Sequence, residues 1–355
     1  MRFFTFKGLL LTTVFMLLGC LSIQAADDGL ITEQITVNLD EAGTLEEKIK
    51  PEVRSKITNL KIVGEVNGTD WKLIRNIAGY GSTGYGSIGK LSVLDLSEAK
   101  IVEGGDSYYN DVYIGKFYTS NDCVGGYAFA YCNSLTSIDL PSTITKIDYR
   151  AFLDCRNLKN VNIHAGITSI GKGAFQNCDR LEKINIPIGI TEIKEKTFYN
   201  CSALETINIP EGVTRIEDYA FDGIQFLLSV TFPSTLQYLS AYAFCDSFNS
   251  SYLTAYFYGK KPPVVPHWWS IDYRTVIYVP KGTAEDYYMV LKESFPVDRN
   301  QIVEFDATGI DKVTISTDTK EVSRYSVNGQ RLSAPTKGLN IVKYSDGSVK
   351  KVAVQ

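Results

Sequence analysis

Histidine is nearly absent from this chain, which has 2 among its 355 residues. Because histidine is the commonest general base and the commonest zinc ligand, its scarcity argues against catalysis and metal binding, and we predict no catalytic residue, metal or cofactor. Neither sign of charge dominates, since 36 Lys and Arg residues stand against 40 Asp and Glu residues. Without a basic stripe or an acidic tail, the sequence indicates no nucleic-acid partner.

Long apolar runs are missing after the first segment, which has the pattern of an export signal. A basic start precedes an apolar run at residues 8–21 that is too short to span a bilayer comfortably, and Ala25 and Ala26 follow. We predict a signal peptide at 1–25, no transmembrane span, and a secreted or cell-surface protein. Cleavage near Ala25 would release the chain. Alternatively, residues 17–20 resemble a bacterial lipobox, which would anchor it through lipidation of Cys20.

The middle of the chain repeats itself every 23 residues. The most regular columns are Phe129, Phe152, Phe175, Phe198, Phe221 and Phe244; Cys132, Cys155, Cys178 and Cys201; and Leu135, Leu158, Leu181, Leu204 and Leu227. A fixed period of this length predicts a solenoid, because each coil presents its apolar positions to the same positions of the next. In each coil, Leu-x-x-Ile-x-Leu-Pro predicts a strand, and Ala-Phe-x-x-Cys predicts one short helical turn.

The combined motif Cys-x-x-Leu-x-x-Ile-x-Leu-Pro-x-x-Ile-x-x-Ile-x-x-x-Ala-Phe resembles the leucine-rich repeat of the Treponema pallidum or BspA-like type. The clean match covers 126–247. Degenerate coils begin at Ile57, Leu91, Leu253 and Ile277, and the third of them reads Leu253-x-x-Tyr256-x-Tyr258. We therefore expect an N-terminal cap with degenerate repeats and insertions at 26–125, and degenerate repeats with a cap at 248–305. His164 departs from the motif by replacing a strand-ending Pro. The resemblance implies binding and adhesion rather than catalysis.

The four cysteines of the repeat occupy one inward position per coil. Free cysteine is among the most buried residue types, so a column of core thiols is the expected arrangement. One or two disulfides between neighbouring positions remain an alternative. A single metal ion is a poor fit, because four thiols over three coil steps span about 14 Å at strand spacing. A catalytic thiol would need a base, and no histidine recurs nearby.

The last 50 residues form a different unit, 306–355. A small, polar linker is followed by two hairpin patterns, one around Asn328 and Gly329 and the other around Asp346 and Gly347. We expect a small all-β domain. Its sequence is similar to the C-terminal secretion or sorting domains of Bacteroidetes proteins, which implies a role in export or attachment. A small β module that caps the array is the alternative.

Three segments break the repeat rhythm, at 79–89, 106–120 and 262–273. From Leu91 to Leu135 the leucine phase takes 44 residues, so about 21 are inserted. We name as candidate ligand contacts Tyr108, Tyr109, Tyr113, Phe117, Tyr118, Trp268 and Trp269, because Tyr among Ser, Gly and Asn is typical of recognition loops. The alternative is that these rings cap the open core.

The leading function is that of an adhesin-like surface or secreted protein that binds an extracellular protein or glycan, host-derived ones included. An extracellular glycan-acting enzyme would need a carboxylate pair with one buried member. The acids in repeat phase shift from coil to coil, so no pair stands out. A purely structural envelope protein is a further alternative.

Overall fold

The computed structural model describes residues 29–80, 89–244, 253–266, 275–294 and 297–306, together with the strand backbones 321–326, 331–332, 338–344 and 349–354. The predicted signal peptide with Cys20, the two candidate tryptophans Trp268 and Trp269, and Cys245, which is not part of the cysteine column, lie outside the described residues. The chain divides into two compact units, Met1–Phe305 and Asp306–Gln355.

The described part of the first unit is built from short strands and a few helices. Its strands are β1 (Ile35–Leu39), β2 (Asn59–Val66), β3 (Val93–Ile101), β4 (Gly104–Asp111), β5 (Gly115–Thr119), β6 (Cys123–Val124), β7 (Ser137–Asp139), β8 (Lys146–Ile147), β9 (Asn160–Asn162), β10 (Ser169–Ile170), β11 (Glu192–Ile193), β12 (Thr206–Asn208), β13 (Arg215–Ile216), β14 (Ser229–Phe232), β15 (Tyr238–Leu239), β16 (Thr254–Phe257), β17 (Val276–Pro280) and β18 (Ile302–Phe305). Its helices are α1 (Leu45–Lys48), α2 (Pro51–Arg54), α3 (Gly68–Ile77) and α4 (Ala284–Ser294), with a 3-10 turn at Arg299–Gln301.

Successive repeat units contribute parallel strands to the same sheets. Two five-stranded sheets have the orders β1-β2-β3-β7-β9 and β12-β14-β16-β17-β18. Two narrow sheets, β10-β8-β6 and β11-β13-β15, come from the second extended piece of each unit. Among the strands of the described part of this unit, β4 and β5 are the antiparallel pair, and an isolated antiparallel bridge joins Tyr80 and Cys132. The parallel strands and the few helices are those of a leucine-rich-repeat type fold.

The strand register follows the repeat. Ile207 pairs with Val230, one 23-residue step away, while Leu94 pairs with Ile138, 44 residues away. The sheet therefore continues across the 21 extra residues, which leave it and return, as the spacing predicts.

One degenerate repeat has a different register from the predicted one. The spacing Leu253-x-x-Tyr256-x-Tyr258 places both tyrosines in the apolar columns, but Val230 pairs with Ala255. Ala255 and Phe257 are buried, and the two tyrosines lie half-buried on the opposite face. A one-residue shift exchanges the faces of a strand, and this one leaves the tyrosine hydroxyls near water.

The core of the repeat region is a column of stacked phenylalanine rings. From Phe129 to Phe244 the centroids of successive rings lie 5.1–5.6 Å apart, with interplanar angles of 5–18°. The predicted leucine and cysteine columns are fully buried beside it.

The Ala-Phe-x-x-Cys segment is a run of turns, so the predicted helical turn is wrong. Left-handed backbone recurs twice per unit, with φ between 51° and 76°. One such residue lies just before the segment, at Tyr127, Arg150, Gly173, Lys196 and Tyr219, and one lies just before the cysteine position, at Tyr131, Asp154, Asn177, Asn200 and Gly223. An α-helix does not continue through a left-handed residue. Amides that would have extended a helix instead reach the next unit, where Phe129 and Tyr131 donate to the carbonyls of Ala151 and Leu153.

The strand ladder is interrupted at one unit, where residues 181–187 carry no assigned strand. Leu181 and Ile186 remain buried there. The apolar columns therefore continue through a unit whose backbone ladder is broken, which separates the two five-stranded sheets.

The second unit contains one antiparallel sheet of order β20-β19-β21-β22, built from β19 (Glu321–Ser326), β20 (Arg331–Leu332), β21 (Gly338–Tyr344) and β22 (Val349–Val354). β19 pairs with β20, and β21 pairs with β22, both antiparallel.

Candidate binding surface on the β4–β5 hairpin

The insertion between β3 and β6 is a β-hairpin held against the N-terminal cap. Asn110 pairs with Lys116, and Tyr109 pairs with Phe117, across its two strands. Three of the five aromatic rings proposed as ligand contacts in this insertion point toward the protein, and two point away from it.

Tyr108 and Tyr109 are buried, with only 5% and 8% of their surface exposed. Tyr109 stacks on Tyr127 with ring centroids 4.7 Å apart and planes 6° from parallel. Phe117 is half-buried and packs on the rings of Tyr109 and Tyr127. Burial raises the pKa of the Tyr108 and Tyr109 phenols. The structure thus places these three rings in the cap that anchors the hairpin.

The cap supplies hydrogen-bond donors that a preceding repeat unit would have supplied. In later units, the carbonyls of Tyr149, Ala151 and Leu153 accept backbone N–H groups from the unit before. One repeat step earlier, the equivalent carbonyls belong to Gly126, Ala128 and Ala130. These carbonyls accept hydrogen bonds from side chains instead of from backbone N–H groups.

Three cap side chains act as those donors. The Tyr108 hydroxyl donates to the Gly126 carbonyl at 2.8 Å, and the Trp71 indole donates to the Ala128 carbonyl at 2.9 Å. The buried Arg75 guanidinium donates to Ala128 at 2.8 Å and to Ala130 at 3.2 Å. Buried carbonyls need partners, so these side chains end the array without orphaned groups.

Two glycines let the hairpin approach helix α3 closely. A Cβ on Gly68 would lie 2.0 Å from the Asp106 carbonyl oxygen, and one on Gly105 would lie 2.4 Å from Asn67 Oδ1. Gly105 also has a φ of 71°, which favours glycine. The Asp106 amide donates to Thr69 Oγ1 at 3.0 Å, which fixes the hairpin on the helix.

The tip of the hairpin is apolar and exposed. Val112 is 89% exposed and Tyr113 is 94% exposed, and Ile114 is exposed beside them. Asp111 Oδ1 accepts the amides of Tyr113 at 2.8 Å and of Ile114 at 3.1 Å, so the tip backbone is held in a turn. An ordered backbone therefore presents three large apolar side chains to solvent.

A shallow groove lies along the outer side of the hairpin. Its volume is about 360 Å³, and Lys72, Asp106, Ser107, Asn110, Lys116 and Tyr118 line it together with Gly105. Lys72 Nζ lies 3.2 Å from an Asp106 carboxylate oxygen, and Tyr118 is 53% exposed. Sequence reasoning named Tyr118 but missed the polar residues of the groove, because only strand pairing and the fold of α3 bring them together.

Some carboxylates elsewhere on the repeat surface form ion pairs. Arg215 Nε lies 3.5 Å from both Glu192 and Glu217, which come from adjacent units. Burial, together with the neighbouring Glu217 charge, raises the pKa of Glu192. Within the ranges described above, no group of three or more His, Cys, Asp or Glu side chains is placed to hold a metal ion.

The prediction of free, buried thiols is confirmed for Cys132, Cys155, Cys178 and Cys201. Cys155 Sγ lies 2.9 Å from the carbonyl oxygen of Phe129, and Cys178 and Cys201 make the same contact one and two units later. Burial raises the pKa of all four thiols, that of Cys132 to about 11. They are core groups and are not exposed to solvent.

Residues 123–251 match the model of the BspA type leucine rich repeat region, in six copies. No curated protein matches the chain. In the described residues, none of the helices has the length and apolarity needed to cross a membrane.

Three solved bacterial structures are similar to the chain. A leucine-rich repeat protein of T. pallidum is 22% identical and has a TM-score of 0.35, and the match covers 48% of this chain and 76% of that one. One from Bacteroides ovatus is 23% identical with a TM-score of 0.37 and coverage of 53% and 47%, so the match spans about half of its length. The pneumococcal vaccine antigen PcpA is 16% identical with a TM-score of 0.48 and coverage of 79% and 73%. By the family match alone, residues 123–251 are similar to the BspA type leucine rich repeat region.

Proposed function

We propose that this protein is a secreted or cell-surface binding protein, adhesin-like in action, which recognises an extracellular protein through the tip of the β4–β5 hairpin. The observation that carries the proposal is the exposure of Val112, Tyr113 and Ile114 on a backbone that is held in place. Large apolar side chains at the centre of an interface supply most of its binding energy, and a preorganised loop loses little entropy on binding.

Export supports this role. The apolar leader directs the chain outside the cytoplasm, where Cys20 anchors it to a membrane or cleavage near Ala25 releases it. The C-terminal unit, 306–355, serves secretion or surface attachment in this proposal. A purely structural envelope protein would have no use for an exposed apolar tip, so the tip favours binding.

The test is a solid-phase binding assay on the mature chain, residues 26–355. The targets are extracellular matrix proteins, mucin and immobilised glycans. Val112, Tyr113 and Ile114 are changed together to Ser. The affinity for a target protein that the unaltered chain captures should fall at least about tenfold, since loss of interface anchors costs more than about 1.4 kcal/mol. The melting temperature should stay unchanged, because these side chains lie outside the core.

The matched control is Ile188→Ser, which removes an apolar side chain that is 76% exposed in the repeat region. It should leave capture intact. Unchanged capture by the triple tip variant would place recognition elsewhere on the molecule and overturn the proposal.

A further inference from the structure

We infer that the groove beside the hairpin binds a sugar that carries a carboxylate, such as a uronic acid. This site is separate from the tip and shares with the proposed function only the hairpin on which both lie. The inference rests on three side chains that line one small groove: a half-exposed aromatic ring, an amide, and a lysine that has no ion pair with any described residue.

The aromatic side chain is Tyr118. It lies in the outward phase of β5, as do Lys116 and its cross-strand partner Asn110, while Phe117 between them packs inward. Among the described residues, Tyr118 has no ring partner and its hydroxyl has no hydrogen-bond partner. The ring is therefore available to pack on the C–H face of a sugar, as aromatic side chains with an apolar body and a polar tip do.

Hydroxyl recognition comes from Asn110 and Asp106. An amide both donates and accepts, and a carboxylate accepts twice, so together they match the paired donor and acceptor character of sugar hydroxyls. Asp106 is held in position by the hydrogen bond that its backbone N–H donates to Thr69 Oγ1 and by the ion pair of its carboxylate with Lys72. Asn110 makes no side-chain hydrogen bond to the described part of the protein, so its amide remains available.

The charged side chains that line the groove favour an anionic ligand. Lys72 and Asp106 offset each other at 3.2 Å, and Asp111 is not among the lining residues, since its carboxylate accepts two amides of the tip. Lys116 has no ion pair with any described residue. It therefore leaves one positive charge facing the groove, which suits a single carboxylate.

The size of the groove favours a small ligand. About 360 Å³ is close to the lower end of the range for small-molecule sites, roughly 300 Å³. One or two sugar rings fit this volume. An acidic peptide would also meet Lys116, but it has no flat C–H face for Tyr118 and no run of hydroxyls for Asn110 and Asp106.

The experiment is an NMR titration of the mature chain with two probes that differ only in the carboxylate, methyl glucuronide and methyl glucoside. The glucuronide should bind about fivefold more tightly, which is the effect of one partly exposed ion pair. Lys116→Gln should remove this preference, and Tyr118→Ser should weaken both probes by a similar factor. The matched control is Lys260→Gln. Lys260 lines another open groove, so this change should leave the preference for the glucuronide unchanged.

Equal binding of the two probes, or a preference that survives Lys116→Gln, would overturn the inference. Equal or tighter binding of N-acetylglutamate amide would assign the groove to an acidic peptide instead. The triple tip variant should bind both sugars normally. If the wild-type protein shows no sugar selectivity but its protein capture depends on the tip, this inference alone is rejected. If it selects the glucuronide but the triple tip variant still captures protein, only the proposed function is rejected.

Discussion

The buried thiols combine two residue-scale properties, a fixed position in each repeat and a raised pKa. Each lies in the core beside a phenylalanine column, where the thiolate is poorly solvated. Only the thiolate is a good nucleophile, so burial and the raised pKa both suppress reactivity.

We predict that Cys132, Cys155, Cys178 and Cys201 resist a maleimide reagent at pH 8 in the native protein and react once it is denatured. Mass spectrometry of peptides labelled before and after denaturation checks this. Rapid native labelling of these four would contradict a closed core.

The same thiols also make stability depend on pH. In the unfolded chain a thiol ionises near its ordinary pKa of 9.0, whereas folded Cys132 has a pKa of about 11.

Because the folded pKa is the higher one, the contribution is fully present below pH 9 and is lost as pH rises toward 11. The unfolding free energy should therefore fall over this range by up to about 1.4 kcal/mol per pH unit for each such thiol. Cys132→Ala should show a shallower decline in denaturant titrations, which separates the thiol from the buried tyrosines.

The burial of these cysteines could be predicted because a 23-residue period assigns one environment to every residue in a column. The environments of Tyr108 and Tyr109 could not be predicted in this way. They occur once, outside the 23-residue period. Their burial depends on the contact between the hairpin and α3, and that contact requires glycine at positions 68 and 105.

At the scale of elements, the phenylalanine column is the feature that joins one repeat unit to the next. Phe175 stacks on Phe152 at 5.1 Å and on Phe198 at 5.6 Å and is fully buried. Its removal leaves a cavity that two neighbouring rings line.

We predict that Phe175→Ala destabilises the first unit by about 3–5 kcal/mol, the usual cost of a buried Phe-to-Ala change. The matched control is Phe226→Ala, in the same repeat region but 58% exposed, which should change stability by less than about 0.5 kcal/mol. Chemical denaturation followed by circular dichroism measures both. Similar losses for the two variants would show that the column is not the main connection between units.

Most strands of the regular repeats were predictable as elements from the apolar period, and the paired registers of β12 with β14 follow it. Residues 181–187 are an exception, because the strand predicted there does not form although the apolar period is regular. The turns were not. The sequence Ala-Phe-x-x-Cys is compatible with a helical turn, and its actual conformation is decided by carbonyls one unit away that accept its amides. The register of the strand Thr254–Phe257 was predicted wrongly for a related reason. Its alternating apolar residues allow either Ala255 and Phe257 or the two tyrosines to face the core.

At the scale of the whole first unit, the array needs a closed N-terminal end. Trp71, Arg75 and Tyr108 supply the donors that the turn segment of a preceding regular repeat would have supplied. In repeat proteins stability is approximately a sum of unit and nearest-neighbour terms, so damage at one end should spread only locally.

We predict that Arg75→Met loosens the repeat region from its N-terminal side. The substitution keeps an apolar stem but leaves the Ala128 carbonyl with Trp71 alone and the Ala130 carbonyl without this donor. An unsatisfied buried group costs about 1–3 kcal/mol. Hydrogen exchange should show the largest loss of protection at residues 126–148 and little change at 195–217. Lys72→Met, on the same helix but 55% exposed, should leave exchange unchanged. A uniform loss across all units would instead mean that the first unit opens as one cooperative block, because damage at the cap would then reach every interface between repeats.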